Sequence, residues 1–157
     1  MKNKTEGGLS GILSAGCIFE GLIKFSGTFR IDGSVFGRIV CNNEGPSTVI
    51  ITESATVEAD IIADNVIISG NVSGNIKAVE RLELSAPGRL EGLVYTSDFS
   101  IEDKALFQGE CIMIRHLSDE DKMALKAEGF YEIHHQFLNQ NRQSIQELPE
   151  KTTLIDH

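Results

Sequence analysis

At 157 residues the chain has the length of one domain, and 23 acidic against 14 basic residues leave it at −9, without the basic stripe that binding to phosphate backbones requires. It has no Trp, only three Pro, and many Ile, Val, Ser and Gly, which is a strand-and-turn composition. Its three cysteines, Cys17, Cys41 and Cys111, are odd in number and lack metal-ligand spacing, which does not indicate a disulfide framework and fits a reducing compartment.

Residues 1–11 read as a flexible tail. Lys2 and Lys4 have no long apolar run behind them, so this stretch makes neither a signal peptide nor a membrane-spanning helix, and a cytosolic protein is expected.

Residues 12–114 form the expected structured domain. Within it a unit of about seventeen residues recurs six times, with the pattern small, any, bulky apolar, any, small, any, apolar. The clear copies are GSVFGRI (33–39), ATVEADI (55–61), GNVSGNI (70–76), GRLEGLV (88–94) and ALFQGEC (105–111), with CIFEGLI (17–23) as a looser first. Their central residues are Phe19, Val35, Val57, Val72, Leu90 and Phe107, at successive steps of 16, 22, 15, 18 and 17. The long step falls at CNNEGPST (41–48), a turn-rich stretch that tolerates insertion.

A second strand precedes each later copy, with apolar pairs Phe29 and Ile31, Val49 and Ile51, Val66 and Ile68, Leu82 and Leu84, Phe99 and Ile101. Period-two alternation turns these side chains to one face, and one register kept through six copies predicts an all-β, parallel β-helix of about six turns. Antiparallel hairpins would instead want Asn-Gly or Asp-Gly turns between irregularly spaced strands. The small residues at 37, 59, 74, 92 and 109 mark where the chain bends between two inward apolar positions. Six turns at about 4.8 Å make a rod about 29 Å long with equivalent residues in vertical columns. Cys17 and Cys111 are expected in the core, and Asp32, Glu53, Glu58, Asp60, Asp64 and Glu91 on a solvated outer face.

The first and last turns of such a rod present unpaired backbone and an apolar floor, which template association. The end members of the central column are aromatic, Phe19 and Phe107. Beyond Cys111 the residues Ile112, Met113 and Ile114 do not blunt the rim with charge or Pro. Phe19, Ile23, Phe99, Ile101, Phe107 and Ile112 are the candidate polymerisation interface. If each end pairs with its like, two different two-fold contacts alternate without closing, and the product is an open filament. The alternative is that residues after 111 fold back and cap the rod, leaving a non-polymerising binding module.

Residues 115–157 form a C-terminal extension. Ser118 with Asp121 three residues on, and acidic residues 119–121, announce a helix start. Met123, Ala127, Phe130, Ile133 and Phe137 then recur at three- and four-residue steps, with Ile145 and Leu148 extending the stripe until Pro149 and Gly129 as a candidate break within it. Met123, Phe130, Ile133 and Phe137 either cover the rod's own flank or dock a partner or neighbouring subunit.

The segments IDGSVFGRI (31–39), SGNVSGNI (69–76) and FSIEDKALFQGECIM (99–113) resemble the bactofilin family over about residues 12–113. The resemblance implies a right-handed β-helix that polymerises through both ends, without nucleotide, into non-polar filaments. It implies a bacterial cytoskeletal scaffold for cell shape or for localising envelope-synthesis proteins. It also implies envelope-synthesis or inner-membrane proteins as partners, and a place in the cytoplasm at the inner face of the cytoplasmic membrane. A short N-terminal piece often binds membrane in this family; here Met1–Glu6 carries no bulky apolar residue besides Met1.

The rival enzymatic reading is a left-handed β-helix acyltransferase. That fold uses a strict six-residue repeat and a catalytic His at a subunit boundary, whereas His116, His134, His135 and His157 all lie outside this repeat. Adjacent His134 and His135 point in different directions on a helix and make no metal pair. No phosphate-binding glycine loop occurs, and no catalytic residue, metal or cofactor is assigned.

Overall fold

The computed structural model describes residues 9–42, 45–116 and 118–120. Eleven strands follow in order: β1 (Gly11–Leu13), β2 (Ile18–Phe25), β3 (Gly27–Ile31), β4 (Ser34–Cys41), β5 (Ser47–Ile51), β6 (Thr56–Ile68), β7 (Asn71–Ser73), β8 (Ile76–Leu84), β9 (Arg89–Thr96), β10 (Phe99–Ile101) and β11 (Leu106–Met113). A 3-10 turn, Ile114–His116, follows β11. Every described pairing is parallel, as a solenoid demands and hairpins forbid.

The register stacks the repeat as its spacing requires. Phe19 lies under Val35, Val35 under Val57, Val57 under Val72, Val72 under Leu90 and Leu90 under Phe107. Phe29, Val49, Val66, Leu82 and Phe99 form a second inward column. These residues, with Ile39, Ile61, Ile76 and Val94, make one continuous core whose middle rungs are almost fully buried.

Two details depart from the expected segmentation. A short first strand, β1, lies beneath β3, so the solenoid starts before Phe19. The expected strand at Val66–Ile68 is the end of the thirteen-residue β6, which rounds a corner through a bulge between Ala63 and Asn65 rather than breaking.

Each rung has three sides. The first is the short strand at Phe29 and its equivalents. The second and third are the two halves of a longer strand, bent where Gly37, Gly92 and Gly109 have φ of 141°, 142° and 146°. A Cβ on Gly92 would collide with the carbonyl oxygen of Gly74 in the rung below, so the column keeps the backbones of successive rungs in close approach. Ala59 occupies the same column in β6.

Asp64 corrects the expected solvated acidic face: it is 5% exposed, and Ser47 beside it is 1% exposed. The Ser47 amide donates to Asp64 Oδ2 at 3.0 Å, and the Asp64 amide donates to Ser47 Oγ at 2.9 Å. The pair sits where the chain re-enters the solenoid at the first residue of β5, and it satisfies two backbone donors that the corner takes away from water. Cys17 and Cys111 are exposed rather than core, and only Cys41 is buried. Cys111 does stack on Val94 in an inward column, but it belongs to the last rung and has none above it.

Candidate self-association site

Among the described residues β1 and β2 pair only with β3 and β4, and β10 and β11 only with β8 and β9. Both ends therefore carry edge strands with one row of backbone groups facing away from the rod. The large apolar residues that remain exposed lie at these ends: Leu9, Ile12, Ile18 and Leu22 at one, Ile101 and Leu106 at the other.

Their places in the columns give this meaning. Ile101 belongs to the inward column of Ile31, Ile51, Ile68 and Leu84, and is 48% exposed because no rung covers it. Ile18 and Leu106 are the end members of an outward column otherwise made of Ser34, Thr56, Asn71 and Arg89. The middle of the column meets water and is polar; only its ends are apolar. Composition alone hides this, and the signal would have been a comparison of outward positions copy by copy.

Of the expected interface residues, Phe19, Ile23, Phe99 and Phe107 are partly buried members of the end rungs, packed against the core. Phe99 and Phe107 meet edge to face, with ring centroids 5.1 Å apart and planes at 81°, and so brace the last rung. Ile112 belongs to the last rung as well, but not to its core. It points outward from β11, stacked on Tyr95, and joins a separate cluster of Val40, Ile62, Leu93, Tyr95 and Ile114 on one flank. Ile114 is fully buried there rather than on the rim. Met123, Phe130, Ile133 and Phe137 lie outside the described residues.

Lys77 stands in the middle of that flank, stacked between Ile62 and Tyr95, with its ammonium 4.9 Å from the Tyr95 ring centroid. Burial pushes its pKa down to about 6 against the opposing pull of Asp60, and Arg38 lowers it further. Burial, with the charge of Glu110, raises the Tyr95 hydroxyl to about 12. At a corner of the rod the Thr52 hydroxyl, donating to Asp32, holds that carboxyl below its ordinary value, and Arg30 assists.

A shallow groove of about 500 Å³ runs along the second side of the rod, lined by Glu58, Ser73, Glu91, Asn71, Arg89 and Gln108 among others. Glu58, Ser73 and Glu91 share one outward column, which puts the Cα atoms of the two glutamates about 9.6 Å apart on a 4.8 Å rung spacing. Both are exposed, as on a solvated face. No group of three or more metal-ligating side chains occurs among the described residues. Nor is any described helix long and apolar enough to cross a membrane.

Residues 11–112, from β1 to β11, match the model of the bactofilin family, described as polymer-forming cytoskeletal. The chain is similar to bactofilin BacO of Myxococcus xanthus, 31% identical over 102 residues that make up 65% of this chain and 78% of that protein. It is also similar to bactofilin BacP of the same organism, 37% identical over 82 residues, which are 52% of this chain but 34% of BacP. No solved structure matches significantly. With six stacked rungs, apolar open ends and a family match spanning the whole solenoid, the chain belongs to the bactofilin family of polymer-forming cytoskeletal proteins.

Proposed function

We propose that this protein is the subunit of a bacterial cytoskeletal scaffold that assembles end to end, without nucleotide, into non-polar filaments. The observation that carries the proposal is the concentration of exposed apolar side chains and singly paired edge strands at both end rungs. A second rod stacked on either end continues the core columns and covers Ile18, Leu22, Ile101 and Leu106. At roughly 25 cal/mol per Å² of apolar surface, such burial is the main driving force for the joint, with backbone hydrogen bonds fixing its geometry. Room for another rung is kept at the first end: a Cβ on Gly21 would meet only the Phe19 ring, at 3.6 Å, whereas one on Gly37 would strike the rung below.

Like ends meeting like ends make two isologous contacts that alternate along the filament and give it no polarity. Such a filament displays its flanks in many copies at the cytoplasmic face of the envelope, where it supports cell shape or holds envelope-synthesis proteins in place. Neither joint needs a nucleotide, since no phosphate-binding loop is present in the sequence.

Electron microscopy of the purified full chain without nucleotide tests this reading. Filaments one rod wide are expected, and Phe107→Arg, which puts a charge into the last rung, is expected to abolish them while circular dichroism stays β-rich. A discrete trimer would overturn the proposal in favour of a left-handed β-helix enzyme.

A further inference from the structure

The third side of each rung carries an outward column that behaves unlike the other outward columns. Lys24, Val40, Ile62, Lys77, Tyr95 and Ile112 stack in register along it, and Leu93 lies beside it. Val40, Ile62, Lys77, Tyr95 and Leu93 are between 0 and 8% exposed. Outward residues on the other sides, such as Arg30, Glu58, Asn71, Ser73, Arg89 and Glu91, are exposed. Stacking of rungs shields the edges of an outward side chain but not its tip, so this strip is covered from outside.

The described chain itself points to the cover. It leaves β11 on this side, and Ile114 in the following turn is buried in the strip's own cluster. Asp119 and Glu120 then begin a helix. From Ile112 down to Val40 the strip spans four rung steps, or about 19 Å. As a helix, Met123 to Phe137 spans fourteen residues at 1.5 Å, or about 21 Å. Met123, Ala127, Phe130 and Phe137 fall on one face of that helix, while Glu128 and Glu132 fall on the opposite one.

We propose that residues 119–137 of the same chain lie as a helical strap down this flank, with the stripe Met123, Ala127, Phe130, Ile133 and Phe137 seated on Val40, Ile62, Leu93, Tyr95 and Ile112. The strap occupies the flank and leaves both end rungs open, so it closes this side to lateral association while allowing end-to-end assembly. The chain beyond it, residues 138–157, is then presented at the side of the rod near its first rungs.

Two measurements on the full chain test the strap. In a background of Cys17→Ser, Cys41→Ala and Cys111→Ser, Ile62→Cys is combined with either Phe130→Cys or Ile133→Cys and oxidised. A disulfide within one chain, migrating as monomer on a non-reducing gel and identified by the linked peptide, is the expected result. A disulfide formed only between chains overturns the assignment, because the cover would then come from a neighbouring copy. Independently of those substitutions, trypsin is expected to cut the wild-type chain after Lys126 at least about tenfold more slowly than it cuts a Phe130→Asp, Phe137→Asp variant, because cleavage follows the population of the open form. Equal rates would overturn the proposal, whether the flank's occupant is another protein or none.

Discussion

Ile18 and Leu106 occupy the first and last places of one outward column whose four intervening members are polar or charged. Evolution of a rod that stayed alone would have no reason to leave both ends of this column apolar and exposed, because exposed apolar patches mark association surfaces. The pair therefore offers a test of the filament's polarity as well as of its existence.

Leu106→Glu blocks one end without touching the core. If like ends meet, the other end still pairs and the variant is a dimer of twice the chain's mass. A head-to-tail filament blocked at one end leaves monomers. Sedimentation velocity distinguishes the two, and Ile18→Glu is expected to give the complementary dimer.

Gly92→Ala is expected to cost about 2–4 kcal/mol, because a Cβ at a φ of 142° is strained and also strikes the Gly74 carbonyl. Gly45 has a φ of 84° but nothing near its Cβ position, so Gly45→Asn serves as the control and should cost under about 1 kcal/mol, since Asn tolerates the left-handed region. Thermal denaturation of both variants in the Leu106→Glu background checks the difference.

Asp64→Ala removes the acceptor of the Ser47 amide at a buried corner. Leaving a buried donor without that acceptor costs about 1–3 kcal/mol. Urea unfolding should show a lower midpoint with an unchanged slope.

Lys77 and Tyr95 give the flank a defined pH dependence. The folded-state pKa of Lys77, about 6, lies below its ordinary 10.5, so the unfolded chain binds more protons between those values and stability rises with pH across that window. The slope from this one group is at most about 1.4 kcal/mol per pH unit. Tyr95, raised to about 12 from 10.0, contributes stability that is complete below pH 10 and lost as pH rises through 12. Stability measured against pH should therefore climb from about 6 and turn over near 10. Lys77→Met should flatten the climb and raise the melting temperature at pH 7, and Tyr95→Phe should remove the alkaline fall.

The six-copy register, the inward columns and the place of the long loop were legible from residue types alone. An inward side chain in a solenoid has no alternative to being apolar, and stacking forces every copy into the same phase. Phe19 and Phe107 were found as end members of their column by the same logic. The outward direction of Ile112 was not legible, because it continues an apolar run after Cys111 and alternation by itself does not say which of two adjacent apolar residues faces the core.

The sequence by itself thus determined the repeat, its length and the family to which its motifs point. Tertiary structure alone decided which outward residues are covered. Val40, Ile62, Lys77, Tyr95 and Ile112 lie fifteen to twenty-two residues apart, with the charged Lys77 among them, so no local periodicity marks them as one strip. Asp64 likewise looks like any surface acid until the corner brings Ser47 within hydrogen-bond reach. In both cases the deciding contacts run between rungs, perpendicular to the chain, where only the stacked register sets the neighbours.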